Sequence, residues 1–227
     1  MIIDKISYRS SLKEINPAIK IFLAAVTLIF LIITNKKIVF LFNFILANFF
    51  MIFFIKIKIK ELAYLYIIPG FFIFSTAISL LWIKKDVTLF LLRSFSSISV
   101  IYTLICSTPV VEFDYVFKKL KFPKIFRELF LLIYKFIFIL FDIKDKLLNA
   151  QKTRLGYTNY KNSIKSFPML VAAIFRKTGY YNENSIKAVN SRLGKEFLFI
   201  HKKYKKIGKE IYPVIAVCLI NLVMVVM

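Results

Sequence analysis

Two short segments of this 227-residue chain repeat one spacing, in which an Ala is followed four residues later by an Arg and then by Leu and Gly. The residues are Ala150, Arg154, Leu155 and Gly156 in the first segment, and Ala188, Arg192, Leu193 and Gly194 in the second. Ala and Arg at this spacing lie on one face of a helix. The small residue lets another backbone approach, and the guanidinium offers a planar set of donors to carboxylates or carbonyls. The segments are therefore candidates for docking into two similar pockets, although Arg and Gly are also common at ordinary helix C-termini.

The remaining polar residues form no recognisable catalytic arrangement. His201 is the only histidine, which excludes a site with several His ligands, and the lysines around it are typical of a solvated basic surface. Asp142 and Asp145 share a helix face, but the interleaved Lys144 and Lys146 favour a charge-balanced surface over a carboxylate pair. The chain has no Gly-rich loop ending in Lys-Ser/Thr, so it does not bind ATP in the usual way. We expect a non-catalytic protein without a cofactor or metal of its own.

The composition indicates that the solvent of this protein is lipid. Hydrophobic residues make up 59% of the chain and its mean hydropathy is +0.71, whereas soluble domains are about 45–50% apolar. The 34 Lys and Arg residues outnumber the 12 Asp and Glu residues, which gives a net charge of +22. Such an excess suits nucleic acid, anionic lipid or an acidic protein surface, and nucleic acid fits poorly beside membrane spans. Cys106 and Cys218 lie in apolar runs and are expected to pack as small apolar side chains.

Five uncharged or nearly uncharged runs approach the 20 or so residues that a helix needs to cross a membrane. They are residues 21–34, 38–55, 62–83, 87–111 and 211–227. The charged arm before the first run is not typical of a cleaved signal peptide, so we expect that span to remain. Residues 126–140 resemble a sixth span until Arg127, Glu128 and Lys135 are counted. A charge near mid-span costs a few kcal/mol, which favours an amphipathic or partly buried helix there.

The distribution of Lys and Arg among the loops predicts the orientation. With the N-terminus in the cytoplasm, the basic N-terminal arm, the loop with three lysines after the second span and the basic middle section all lie inside, as basic loops prefer. The C-terminus then lies outside. The sequence thus predicts an all-α integral protein of the plasma membrane, with about five transmembrane helices and a cytoplasmic helical coupling region between the fourth and fifth. The predicted parts are residues 1–111 for the arm and helices 1–4, 112–210 for the coupling helices, and 211–227 for the C-terminal helix.

The basic middle section has helical patterning interrupted by helix-breaking residues. Apolar residues recur at helical spacing over residues 126–154, and Gly156 follows as a stop signal. A second helical stretch covers residues 160–177, where Pro168 either kinks the helix or starts a new one. A third covers residues 182–192, with Gly194 just beyond it.

Residues spread over nearly the whole chain resemble the T component of energy-coupling-factor (ECF) importers, which are ABC transporters, and specifically the cobalt-type CbiQ family of permeases. The resemblance rests on Asp4, Tyr8, Arg9, Ser10, Leu12, Pro17 and Lys20 near the start; Arg93, Ser107, Thr108, Pro109, Asp114, Leu120 and Pro123 in the middle; and 133–138, Ala150, Gln151, 154–157, Ser163, Lys165 and Ser166 beyond. The segment 150–157 is its most specific part. Lys135 stands where the family usually has Arg, and Ser191-Arg192-Leu193 replaces the usual Ala-Arg-Gly of the second motif.

The resemblance implies a machine of four parts: two cytosolic ABC ATPase subunits, this scaffold, and a separate substrate-binding membrane (S) subunit. In such machines two coupling helices end in Ala-Arg motifs that each insert into a groove of one ATPase. Carried over to this chain, the docking arginines are Arg154 and Arg192. The chain itself would do no chemistry, because its partners hydrolyse the ATP. It would convert their closure and opening into movement of the S subunit.

Several alternatives stay open at this point. Cobalt follows from the family likeness alone, so nickel, or a vitamin delivered through the same kind of scaffold, remains an alternative cargo. A conventional ABC permease domain, and a membrane enzyme or assembly factor, are two further classes. The last class predicts charged groups within the spans, and the uncharged runs argue against it. A basic excess lies at Lys118, Lys119, Lys121, Lys124 and Lys161. We expect these lysines to contact anionic lipid rather than acidic ATPase surfaces, with a binding free energy of about 1 kcal/mol per residue.

Overall fold

The computed structural model describes residues 2–10, 12, 15–82, 86–191 and 211–226, and these residues form helices joined by turns, without a strand among them. The helices are α1 (Ile2–Arg9), α2 (Pro17–Ile33), α3 (Lys37–Phe53), α4 (Ile59–Trp82), α5 (Val87–Ser107), α6 (Phe113–Lys119), α7 (Lys124–Thr153), α8 (Tyr160–Asn190) and α9 (Ile211–Val226). They belong to two compact units: α1 to α6 with α9, and α7 with α8. The predicted all-α class is confirmed.

Each of the five predicted spans contains a helix. By length and composition, α4 with 24 residues and α5 with 21 are apolar and long enough to cross a membrane. The other three are shorter, with 17 residues in α2 and in α3 and 16 in α9. At 1.5 Å per residue, 17 residues measure about 25 Å, close to the lower limit for a hydrocarbon core about 30 Å thick. Two helices are therefore clear candidates for membrane spans, and the full count of five stays a prediction.

In the first unit, α5 is the central helix, because α2, α3 and α4 each pack against it. Ser96 and Ser99 of α5 are fully buried. The hydroxyl of Ser96 donates to the carbonyl oxygen of Phe40 on α3 at 2.6 Å, and that of Ser99 lies 2.6 Å from the hydroxyl of Tyr66 on α4. Small hydroxyl residues let membrane helices approach closely and bond across the interface.

The C-terminal helix is attached to this unit by a buried pair of amides. Asn43 Nδ2 on α3 donates to Asn221 Oδ1 on α9 at 2.6 Å. Both side chains are almost completely buried, and each Nδ2 also donates to a carbonyl oxygen of its own helix, four residues earlier. α9 therefore packs against α2 and α3, with a defined polar contact to α3.

A 3-10 turn over Val110–Glu112 and the short helix α6 follow α5, and both belong to the first unit. Glu112 and Asp114 are each only 8% exposed. The division between the two compact units falls after Leu120, so residues 112–120 group with the apolar helices rather than with α7 and α8.

The second unit consists of two long helices that pack against each other. The helix predicted over residues 126–154 is confirmed as α7, and it is not among the helices apolar enough to cross a membrane. The prediction of separate helices over 160–177 and 182–192 is wrong, because α8 runs without interruption from Tyr160 to Asn190. Pro168 lies inside it on an exposed surface, where water can satisfy the carbonyl that its missing N–H leaves unpaired. Gly179 costs about 1 kcal/mol relative to Ala, which is too little to end a helix.

Candidate docking site

The first Ala-x-x-x-Arg segment lies where α7 ends and α8 begins. The N–H of Gly156 donates to the carbonyl of Gln151 at 2.9 Å, and the N–H of Leu155 donates to that of Lys152 at 3.0 Å. These two bonds define the Schellman motif, a common way to close a helix C-terminus. Its left-handed position, usually a Gly, is held here by Leu155 with φ of 59°.

The role of Gly156 differs from the one its position predicts. The helix does end beside it, but no described glycine has a positive φ. A Cβ on Gly156 would instead lie 2.9 Å from Ser166 Oγ and 3.0 Å from the carbonyl oxygen of Gln151. Ser166 Oγ donates to the carbonyl oxygen of Gly156 at 2.8 Å. Gly156 is therefore needed for the close approach of α8 to the end of α7.

Side-chain hydrogen bonds brace this turn on both sides. The hydroxyl of Tyr157 donates to Gln151 Oε1 at 2.9 Å, which ties the start of the turn to the last residues of α7. The hydroxyl of Thr153 donates to the carbonyl of Ala150 at 2.9 Å, and that of Thr158 to the carbonyl of Leu155 at 3.1 Å. These hydrogen bonds restrict the conformation of the tip between α7 and α8.

The side chains of the first segment point outward from this braced turn. Ala150 and Arg154 are exposed, and Leu155 keeps 67% of its surface accessible. The backbone N–H of Arg154 donates to the carbonyl of Lys152, but its side chain makes no hydrogen bond or ion pair with another described residue. The left-handed conformation costs a residue with a Cβ roughly 1–2 kcal/mol, and the exposed leucine side chain offsets little of that by packing. The fold alone would be served better by Gly at position 155, which indicates that the side chain has another use.

The charge at this tip is positive because the nearby acidic residues already have partners. Lys146 Nζ donates to Asp142 Oδ2 at 2.7 Å, and Lys144 lies 2.9 Å from Asp145, which confirms the charge-balanced surface predicted there. The hydrogen bond to Asp142 and the attraction of its charge raise the pKa of Lys146, which stays protonated. The cations left without an ion pair in residues 121–191 include Lys152, Arg154, Lys161 and Lys165.

The second segment is only partly described. Ala188 is exposed in the last turn of α8, and the hydroxyl of Ser191 donates to its carbonyl at 3.0 Å. Arg192, Leu193 and Gly194 lie outside the described residues, as does His201. The first segment precedes α8 and the second ends it, so the whole helix separates them. Its 31 residues measure about 45 Å. The structure therefore does not bring the two segments into one site.

Gln151 and Ser166 are among the residues that carry the family resemblance, but sequence reasoning did not identify their role in supporting the tip. Gln151 and Ser166 contribute as much to the geometry as Arg154 and Leu155, yet neither has a helix-end pattern of its own. The signal available in the sequence was a pair of small residues, Gly156 and Ser166, separated by ten positions. Within the described ranges, no three or more His, Cys, Asp or Glu side chains are grouped closely enough to hold a metal ion.

The chain has relatives among known proteins. A family model described as CbiQ, cobalt transport protein, matches residues 8–196. An uncharacterized protein of Methanocaldococcus jannaschii is 29% identical over 196 residues, which cover 77% of this chain and 73% of that protein.

Two further relatives have more specific names and shorter matches. A putative fused cobalt transport protein CbiMQ of Methanocorpusculum labreanum is 33% identical over 46% of this chain and 17% of its own length. The cobalt transport protein CbiQ of Salmonella typhimurium is 29% identical over 37% of this chain and 38% of its own length. Because the family model covers most of the chain, from residue 8 to residue 196, this protein belongs to the CbiQ family of cobalt transport proteins.

Proposed function

We propose that this chain is the transmembrane coupling subunit, or T component, of an ECF-type importer that takes up cobalt. The observation that carries the proposal is the braced tip between α7 and α8. It presents Arg154 beside an exposed Leu155 in a left-handed conformation. A cationic planar donor next to an apolar side chain suits a groove that is apolar inside and has carboxylates or carbonyls at its rim.

The length of α8 supports one ATPase for each docking segment. The 31 residues of α8 measure about 45 Å along the helix, and most of that length lies between the tip at Arg154 and Ala188 in the last turn. Two partners bound at such a distance can move apart and together while α7 and α8 act as levers. A difference of about 1.4 kcal/mol in docking between two ATPase states changes the ratio of two conformations tenfold. The chain itself does no chemistry, and the partners hydrolyse the ATP.

In the membrane, the first unit acts as the scaffold for the S subunit. Its five apolar helices α2, α3, α4, α5 and α9 cross the bilayer, with the N-terminus in the cytoplasm and the C-terminus outside. Residues 112–210 then contain the cytoplasmic coupling helices. The fused cobalt transport protein with a segment similar to this chain supports a membrane partner, since its name describes a fusion of two transport components. The cobalt cargo is supported by the family description and by the names of two relatives.

Anionic lipid is a further partner of the cytoplasmic helices. On α8, Tyr160, Ile164 and Phe167 are exposed at helical spacing, with Lys161 and Lys165 beside them. An apolar stripe with adjacent lysines is typical of a helix that lies in the headgroup region. Each lysine near that surface contributes about 1 kcal/mol. This contact would hold α8 against the bilayer while its ends stay available to the ATPases.

The docking assignment is tested by reversing the charge of Arg154. Arg154→Glu should weaken ATPase association roughly 10- to 100-fold, because charge-assisted hydrogen bonds contribute about 1.5–3 kcal/mol. The measurement is the yield of tagged ATPase that co-purifies with the chain, together with cobalt uptake by cells that contain all subunits. Membrane insertion should be unchanged, and adding Arg192→Glu should lower both readouts further.

The matched control is Arg176→Glu, which reverses the same charge at an exposed position within α8. It should co-purify ATPase at the wild-type yield. Wild-type co-purification and normal uptake by Arg154→Glu would refute the docking assignment. An equal loss in both variants would mean that the overall charge of the unit matters and not this tip.

A further inference from the structure

A second feature lies in the first unit, where α2, α6 and α9 enclose an apolar groove of about 780 Å³. It is lined by one face of α2, by the middle of α9 and by residues at the C-terminal end of α6. The residues that line it are Ala18, Ile19, Ile21, Phe22, Ala25, Val26, Phe30, Val116, Lys119, Leu120, Cys218, Leu219 and Leu222. All of them belong to the first compact unit.

The charge in this groove is confined to one residue. Among the lining residues only Lys119 is charged, and it lies in the last turn of α6. Its side chain is exposed and has no hydrogen-bond or ion-pair partner within the described part of the chain. An exposed ammonium group beside an apolar groove is complementary to an amphiphile: the cation suits an anionic head, and the groove suits an apolar tail.

The length of the groove corresponds to one leaflet of a bilayer. On α2 its wall extends from Ala18 to Phe30, and twelve residues at 1.5 Å each give about 18 Å. Half of a hydrocarbon core about 30 Å thick is about 15 Å. With Lys119 at the level of the cytoplasmic headgroups, the apolar wall therefore covers the depth that one acyl chain occupies.

We propose that this groove binds an anionic phospholipid, with one acyl chain between α2 and α9 and the headgroup phosphate on Lys119. The site differs from the general lipid contact of α8, because it is a defined groove in the other unit. It requires α6 to lie at the headgroup level, as in the orientation proposed above, and it does not require ATPase docking. A lipid held there fills the space between α2 and α9 and so stabilises the packing of the C-terminal helix.

The first experiment uses the full chain in proteoliposomes, without ATPase. The only tryptophan is replaced (Trp82→Phe), and Phe22→Trp places a fluorescent reporter in the groove. Brominated phosphatidylglycerol should quench this reporter at a lower mole fraction than brominated phosphatidylcholine, with a preference of roughly fivefold for one lysine at the headgroup. Lys119→Glu should abolish the preference. Lys60→Glu, an equal charge change at an exposed site outside the groove, should keep it.

Equal quenching by the two lipids would overturn the proposal, because it would mean annular contact only. An equal loss of the preference in Lys119→Glu and Lys60→Glu would also overturn it.

The second experiment avoids the reporter, since native mass spectrometry can count phospholipids that remain bound to the unlabelled chain in detergent. Ala25→Phe, which fills the groove, should lose a retained phosphatidylglycerol, whereas Ala63→Phe at an exposed position of α4 should retain it. Retention by both variants would contradict a lipid in this groove, whatever the outcome of the ATPase experiments.

Discussion

Replacing Leu155 by Gly should separate the stability of the α7–α8 tip from its ability to dock. Leu155 has a φ of 59°, a conformation that costs a residue with a Cβ roughly 1–2 kcal/mol and glycine almost nothing. The greater conformational freedom of glycine in the unfolded chain offsets about 0.4–1 kcal/mol of this gain in stability. The leucine side chain is 67% exposed, so its loss removes little packing. Leu155→Gly should therefore be as stable as the wild type, or more stable by up to about 1.5 kcal/mol.

The same substitution should weaken the complex with the ATPase. Burying a leucine side chain contributes about 1.5–3 kcal/mol, and two-thirds of the surface of Leu155 is available to a partner. Its removal therefore costs roughly 1–2 kcal/mol of binding free energy, or a 5- to 30-fold increase in Kd. The assays are unfolding in detergent followed by circular dichroism, and ATPase binding to the immobilised chain.

A matched control is Lys56→Gly, which removes the strain of a left-handed residue with φ of 58° in the first unit, outside the proposed docking segments. It should gain similar stability and bind ATPase as the wild type does. The reasoning would be refuted if Leu155→Gly bound ATPase with unchanged affinity, since the side chain would then have no use outside the fold. A variant much less stable than the wild type would refute the strain argument.

Substitutions at two further contacts test how the site and the scaffold are positioned. Gly156→Ala should destabilise the α7–α8 unit by about 1–3 kcal/mol, because the new Cβ would lie 2.9 Å from Ser166 Oγ; equal thermal stability of variant and wild type would contradict the close approach. Asn43→Leu or Asn221→Leu should each destabilise the first unit, since each leaves one buried amide without its partner. In a double-mutant cycle measured by unfolding in detergent, the coupling should be about 0.6–1.7 kcal/mol, and additive effects would mean that the pair does not interact.

The sequence was sufficient for the parts of the structure that depend on local patterning. Apolar runs locate α2 to α5 and α9, and the helical spacing before Gly156 locates the end of α7 within one or two residues. Pro168 was overestimated as a break, because water can satisfy the exposed carbonyl that it leaves unpaired and α8 also packs against α7. For α2, α3 and α9, length alone does not decide whether a helix crosses a bilayer.

Features that depend on tertiary contacts could not be predicted. The left-handed conformation of Leu155 follows from how α8 packs on the end of α7, and a leucine carries no sequence signal for it. Asn43 and Asn221 are 178 residues apart, and no local pattern connects them. Likewise, Lys119 was one basic residue among many until the fold placed it at the end of an apolar groove.

The central claim is that the α7–α8 tip contacts an ATPase, and site-specific photocrosslinking tests it most directly. A photoreactive phenylalanine derivative replaces Leu155 in one variant and Phe175 in another, since Phe175 is 74% exposed within α8, away from its ends. Illumination of cells that contain all subunits should give an ATPase adduct from position 155, with a yield that changes on ATP binding, and none from position 175. The absence of an ATPase adduct from position 155, or equal adducts from both positions, would contradict the account.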